Sequence, residues 1–407
     1  MDKTAIMKIF EDTAYVRLGG SVEELFCADY LRSRCADFGG EAVIEPFPVD
    51  MAQIQEAVFE ADGISVPCKG YKNCGCATVE APFYYLSDKD PHSLSQCRGK
   101  IVLVDGYLGY WIYQDLLENG AVGFVTYDGH INYTDRDIDA RELRGYVHNG
   151  NKIPGVNINV KDAVALVEKG VTTAKITVRQ EETVGESRNV VLDLPGEIPE
   201  TIVLTAHYDS TSLSNGAYDN MSGSIGLLAM AEHFSRNPHR YGLRFIWCGS
   251  EERGLLGSKA YCQAHKEELK DIALCVNLDM IGSIMGKFIA CCSAEEKLCH
   301  YITYLGSELG FGVAAHQDVY ASDSTPFADN GVPSLSFARI APPTTATIHN
   351  SYDTAALMSG VQMEKDIDFI TAFVTRMANA ARCPVSRTIP DAVKEKLDTY
   401  LNRKRKA

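Results

Sequence analysis

The sequence predicts an α/β protein: a mixed, mainly parallel sheet with helices on both faces, plus a smaller inserted α/β domain. Three observations predict it. From Asn189 onward, long apolar runs each lead into a helical stretch, and such runs suit strands buried on both faces. Between about 51 and 184 a separate strand, helix, strand rhythm forms βαβ units. The chain has 407 residues, 45% of them hydrophobic, which is more than one core comfortably holds.

The elements follow in order. Residues 21–38 read as a helix, because Ser21 and Glu24 have capping-box spacing and Leu25, Phe26 and Leu31 offer apolar contacts. Gly39-Gly40 stops it, and a strand follows over 42–45. In the inserted segment, strands are expected at 100–104, 122–127, 156–160 and 174–178, with helices at 113–118 and near 162–168. The polar stretch 128–151 reads as a loop. Further strands are expected at 202–205, 243–248, 273–278 and 333–337. The main region therefore comprises 1–50 and 185–383, the insert 51–184, and residues 384–407 a single amphipathic tail helix.

Charge narrows the partners. Thirty-nine basic against 54 acidic residues leave a net charge of −15, which repels a phosphate backbone, so no nucleic-acid partner is expected. No run of about 18 apolar residues exists, so no membrane span is expected. The basic run Arg403 to Lys406 reads as a solvated end. The first residues lack a basic n-region and an apolar h-region, and the 13 Cys are an odd, scattered set. Together these point to a reducing, cytoplasmic location. Cys68, Cys74 and Cys76 lack a matching second pair, so a structural metal there is disfavoured.

In open parallel sheets, sites form outside the carboxyl ends of strands. The expected strand ends deliver His207-Tyr208-Asp209, Glu251-Glu252 and Asp279 to one edge. Asp219 opens a predicted helix, and His349 lies in a loop. Singly, each has an ordinary reading: Asp219 as an N-cap, Glu251-Glu252 as solvated charge. Together, two imidazoles and several carboxylates at one edge call for divalent cations. Mixed nitrogen and oxygen ligands suit zinc first, with manganese or cobalt as substitutes. One carboxylate can bridge two metals, and a free carboxylate beside them can move a proton.

These stretches resemble the co-catalytic di-zinc aminopeptidases of peptidase clan MH. The resemblance is carried by His207 to Asp209, Gly216 to Gly223, Glu251 to Ser258, Asn277 to Gly282, Ser322-Asp323 with Pro326-Phe327, and His349 to Thr354. It covers roughly 185–380 plus the amino-terminal helix. It implies a zinc aminopeptidase-like fold and two zinc ions. His207 and Asp279 would hold one ion, Glu252 and His349 the other, and Asp219 would bridge them through a cis peptide to Asn220. Glu251 would be the general base. Asp209 would orient His207, and Asp323 would support the site. The segment 51–184 resembles a protease-associated domain, which in the family lies beside the active site and restricts entry; a packing module with no part in catalysis is the alternative. One position departs from the pattern. Many relatives place a Tyr before the last His, and here it is Ile348. Oxyanion stabilisation then falls to Tyr352, to Tyr208 or to the metals.

The expected function is a metallo-exopeptidase that removes N-terminal residues from short peptides. A carboxypeptidase or dipeptidase on the same site is the first rival and needs a cationic clamp for the substrate carboxylate. Arg339 and Arg253 are the candidates, although Arg339 also suits a core ion pair. A non-catalytic binding protein on this fold is the second rival, and the full ligand set speaks against it. Side-chain preference and oligomeric state are not legible.

Overall fold

A computed structural model describes residues 1–105, 108–132 and 137–405. Positions 133–136 of the polar loop, and Lys406 and Ala407 of the tail, lie outside the described residues. The chain forms two compact units, Met1–Val49 with Glu186–Ala407, and Asp50–Gly185.

In the larger unit the strands lie in the order Ala314–Gln317, Lys287–Ser293, Ser334–Ile340, Ile272–Leu278, Ile198–His207, Tyr241–Cys248, and then the 190–194 end of Thr173–Leu194. Four neighbouring pairings are parallel. Two are antiparallel: Lys287–Ser293 with Ser334–Ile340, and Tyr241–Cys248 with 190–194. This is the mixed, mainly parallel sheet expected.

Side-chain alternation divides its core. Ile202, Leu204, Phe245, Trp247, Leu274 and Val276 point to one face, where helices Lys3–Asp12, Val22–Ala36, Ser222–Ser235, Glu296–Leu309 and Gly360–Ala378 pack. Val203, Ile246, Cys248 and Cys275 point to the other, against Tyr261, Cys262 and Phe327 of helices Leu256–Ala264 and Ser324–Asp329. Both faces are covered, which is why the central strands read as unbroken apolar runs.

Helix Ser222–Ser235 is buried at every residue from 222 to 231. Its closeness to the sheet depends on Gly223, where a Cβ would sit 2.2 Å from the Leu278 carbonyl oxygen. Trp247 Nε1 donates to the Ser224 carbonyl at 3.0 Å, and Ser224 Oγ donates to the His207 carbonyl at 2.8 Å. These bonds fix the helix to the strand ends that carry the site.

The smaller unit has its own sheet and core. Ala77–Leu86, Ile101–Val104, Gly123–Asp128 and Gly155–Asn159 pair in parallel sequence, and Cys68–Gly70 adds an antiparallel edge. Helices Tyr110–Glu118 and Val160–Glu168 supply the crossovers. Cys74 is buried beside the Gly155 carbonyl, whereas Cys76 is exposed.

Several expectations are corrected. The first long helix buries Glu24, Cys27, Ala28, Leu31 and Cys35, a stripe at helical spacing. Phe26 falls off that stripe and is 59% exposed. The Ser21 cap forms, but Glu24 accepts from the Gly20 N–H at 2.8 Å. The strand expected at 42–45 runs on as Val43–Ala61, and that at 174–178 as Thr173–Leu194. The tail is helical only over Asp391–Tyr400, because Pro384 and Pro390 interrupt anything longer. That helix buries Val393 and Leu397 against Ala328, and Arg403 pairs with Asp329 at 2.6 Å. The basic run is therefore partly tied down rather than wholly solvated.

Candidate metal centre

Three strand ends and two loops build the site. Ile198–His207 ends in buried His207, followed by Tyr208 and Asp209. Tyr241–Cys248 runs into a tight turn, with Ser250 at φ 53° and Glu251 and Glu252 next. Ile272–Leu278 is followed by Asp279, whose N–H donates to the Phe337 carbonyl at 3.0 Å. Asp219 lies in a kinked turn ahead of helix Ser222–Ser235, and its peptide bond to Asn220 is cis. His349 sits half-exposed in the loop after Ser334–Ile340, with φ 59°.

These side chains converge. Asp219 Oδ1 is 3.2 Å from His207 Nε2, and its Oδ2 is 3.1 Å from His349 Nε2. Glu252 Oε2 is 3.0 Å from His349 Nε2. Asp279 Oδ1 and Glu251 Oε2 lie 3.8 and 4.0 Å from His207 Nε2. Asp209 Oδ1 is 3.5 Å from the other ring nitrogen, Nδ1. All seven residues are thus within one constellation.

Its electrostatics are severe. Burial lifts Glu251 well above the usual carboxylate range against the pull of His207. Burial and the charge of Asp219 push Glu252 up to about 7. Asp219 is held below its ordinary value despite burial, by its bonds to His207 and His349. Burial opposes the charge on His207, yet Glu251, with Asp209, Asp219 and Asp279, holds its pKa well above 6.5. His349, opposed likewise, is pushed up to about 11 by Glu252 and Asp219. So many carboxylates around two imidazoles need more positive charge than two protons provide.

The donor set fits divalent cations. Among the described residues, two groups converge tightly enough to hold an ion: His207, Glu251 and Asp279, and Asp219, Glu252 and His349, with donor atoms in each within 4.8 Å of one another. Asp279 Oδ1 is buried with no hydrogen-bond partner among the described residues. The first group includes Glu251 where the resemblance assigns Asp219, but Asp219 presents one oxygen to each imidazole.

Supporting residues explain the placement. Asp209 accepts the N–H groups of Glu251 at 2.9 Å and Glu252 at 3.2 Å, so it fixes their turn as well as facing His207. Asp353, to which the sequence reading gave no role, accepts the N–H groups of Tyr218 at 2.8 Å and Asp219 at 3.1 Å. Asn220 Oδ1 accepts from the N–H groups of Gly223 and Met280. Asp323 is buried, accepts from Ser258 Oγ at 2.6 Å and is pushed up to about 6 by burial. Arg17, also missed, is fully buried and donates to the carbonyls of Thr13, Tyr15, Tyr208, Asn215 and Gly216. No local pattern marks Arg17; Asp353 lies inside the His349 to Thr354 motif and could have been weighed there.

The oxyanion candidates change. Tyr208 is fully buried and its hydroxyl donates to the Arg188 carbonyl at 2.8 Å, so it is committed elsewhere. Tyr352 is 57% exposed. Tyr320 has a buried hydroxyl with no partner among the described residues. Its pKa stands well above 10, first through burial and then through the charges of Asp279 and Asp219. Arg339 is bidentate on Asp366, at 2.6 and 2.8 Å, and donates to the Gly286 carbonyl at 2.7 Å. It is a core ion pair. Buried Arg253 donates to the Gly19 carbonyl at 3.2 Å.

Comparison with known proteins agrees with this geometry. Residues 189–374 match the model of peptidase family M28. Aminopeptidase YwaD of Bacillus subtilis (strain 168) is 31% identical over 61% of this chain and 56% of its own length. Leucine aminopeptidase 2 of Trichophyton rubrum is 30% identical over 52% of this chain and 40% of its own length. The chain thus spans about half the length of these curated relatives. Among solved structures, an aminopeptidase from Aneurinibacillus sp. strain AM-1 superposes with a TM-score of 0.77 at 22% identity, covering 95% of this chain and 96% of that one. BSAP, a zinc aminopeptidase from Bacillus subtilis, gives 0.77 at 23% identity, with 95% and 97% covered. These two establish a shared fold. The span 189–374, which carries every strand end of the site, resembles peptidase family M28.

Proposed function

We propose that the protein is a zinc-dependent aminopeptidase that hydrolyses N-terminal residues from peptides. One observation carries the reading: Asp219 turns one oxygen to His207 and the other to His349, within a ring of buried carboxylates. His207 and Asp279 would hold one zinc, Glu252 and His349 a second, with Asp219 shared; manganese or cobalt can substitute. Two such ions supply an acidified water and a polarised scissile carbonyl.

The chain's own groups do the rest. Glu251 takes the proton from the attacking water and delivers it to the leaving amine. Asp209 keeps Glu251 and Glu252 in place through their backbone N–H groups. The Tyr320 hydroxyl, buried and without an acceptor among the described residues, donates to the developing oxyanion. A site so rich in carboxylates favours the α-ammonium end of a peptide. The commitment of Arg339 to Asp366 removes the first candidate for a carboxylate clamp and favours the aminopeptidase over the carboxypeptidase.

Residues 51–184 are assigned to a protease-associated-like unit, supported by their own parallel sheet. A cytoplasmic setting belongs to the same proposal, supported by thirteen free thiols. The test is a set of matched peptides with free and acetylated N-termini, assayed beside zinc analysis. Cleavage confined to free N-termini, with about two zinc per chain, is expected. Equal cleavage of the acetylated set refutes the aminopeptidase reading, and no zinc uptake refutes the metal centre.

A further inference from the structure

The turn that carries Glu251 and Glu252 is gripped from behind by the amino-terminal helix Val22–Ala36. A Cβ on Gly249 would sit 2.4 Å from the Arg188 carbonyl oxygen, 2.6 Å from Glu24 Oε1 and 2.8 Å from Ser187 Oγ. A Cβ on Gly19 would sit 2.2 Å from Ser250 Oγ. Both glycines therefore let backbone and buried polar groups meet without a side chain between them.

A one-way series of hydrogen bonds runs through this contact. Ser250 Oγ donates to Ser187 Oγ at 2.8 Å, and Ser187 Oγ donates to Glu24 Oε1 at 2.6 Å. Glu24 Oε2 accepts the Gly20 N–H at 2.8 Å and faces the Arg188 guanidinium at 3.4 Å. Glu24, Ser187 and Ser250 are all fully buried. A glutamate in the first turn of a helix ordinarily caps it from solvent. Here it is spent on a serine that holds a second serine, and that second serine has a left-handed φ of 53°, a conformation few non-glycine residues adopt. The next residue is Glu251.

We infer that Glu24 and Ser187 are positioning residues for the general base: they hold Ser250 in its left-handed conformation and so aim Glu251. Asp209 grips the same turn through the Glu251 and Glu252 N–H groups, so the turn is fixed from two elements. The kinetic arm of this inference rests on the aminopeptidase reading; its exchange arm does not.

The test uses the full chain loaded with zinc and compares Ser187→Ala with Ser21→Ala. The second removes the cap bond that Ser21 Oγ accepts from the Glu24 N–H, while the Ser250–Ser187 and Ser187–Glu24 side-chain bonds stay in place. Ser187→Ala is expected to lower kcat by about tenfold or more with KM and zinc content unchanged. It should also speed amide exchange in 249–256. Ser21→Ala should lower Tm and leave kcat and that exchange unchanged. Glu24→Gln keeps an acceptor for Ser187 and should retain most of kcat. If Ser187→Ala fails to fold, Ser250→Ala breaks the same link and is read the same way. Unchanged exchange in 249–256, or equal kcat losses in Ser187→Ala and Ser21→Ala, overturns the inference. A wild-type chain with no peptidase activity but with the exchange difference intact would sink the functional reading alone.

Discussion

The N–H of Glu251 donates to Asp209 Oδ1 at 2.9 Å, while that same oxygen lies 3.5 Å from His207 Nδ1. One carboxylate thus couples two strand ends, so the orientation of the His207 imidazole and the position of Glu251 are set together. Positioned groups of this kind tolerate little displacement.

Glu251→Gln should keep the metal and lose the reaction. The amide preserves size and packing but cannot accept the proton. We expect activity to fall by at least about a hundredfold, with metal content by elemental analysis equal to that of the wild type. Wild-type turnover in this variant would remove Glu251 from its assigned role.

Asp219→Ala should lose both. It deletes the carboxylate that faces His207 and His349, so those imidazoles no longer share a counter-charge. Elemental analysis and zinc titration calorimetry check this, and normal zinc content would contradict a shared ligand. Asp353→Asn gives a milder version, since the Asp353 carboxylate acts on Asp219 through the backbone N–H groups of Tyr218 and Asp219.

Tyr320→Phe separates chemistry from folding. The hydroxyl has no partner among the described residues, so its removal breaks no internal bond and leaves Tm unchanged or slightly raised. Loss of one oxyanion donor ordinarily lowers kcat by about 10²–10³. A drop in kcat with steady KM and Tm is expected. Unchanged kcat would reassign oxyanion stabilisation.

A fourth outcome concerns pH and lies away from the metal centre. His265 lies between Glu45, 3.1 Å from Nε2, and Glu268, 3.0 Å from Nδ1, and its ring stacks on Tyr261 at 4.3 Å. Burial opposes its charge, but bonds to Glu268 and Glu45 raise its pKa above 6.5. A raised folded-state pKa means the contribution is fully present below 6.5 and is lost as pH climbs through the folded value. Chemical denaturation should show His265→Gln less stable than wild type in mildly acidic buffer, with the gap closing in alkali. A gap that widens with pH would reverse the assignment.

The strands that build the site were legible because burial on both faces leaves a continuous apolar run, as at 202–205, 243–248 and 273–278. The strands Lys287–Ser293 and Ala314–Gln317 were not, since one returns antiparallel and the other has only four residues. Phe26 misled because neighbours on a helix are about 100° apart, so Leu25 and Phe26 cannot both face one stripe. The clustered carboxylates and imidazoles stood at strand ends and in quoted motifs. Arg17, Glu24 and Asp353 each meet a partner more than 100 residues away: the Tyr208 carbonyl, the Ser187 hydroxyl and the Tyr218 N–H. Nothing local in the sequence announces such partners.

The carboxy-terminal helix Asp391–Tyr400 has a consequence of its own. Val393 and Leu397 seal Ala328, and Arg403 anchors Asp329, at the far end of the short helix that starts just after Asp323. Three residues before Asp323 stands Tyr320. Clipping the chain after Ile389 would strip the outer support from the span that carries both side chains. The carboxy-terminal turns thus serve as a brace, and their loss would be felt as slack around Asp323 and Tyr320.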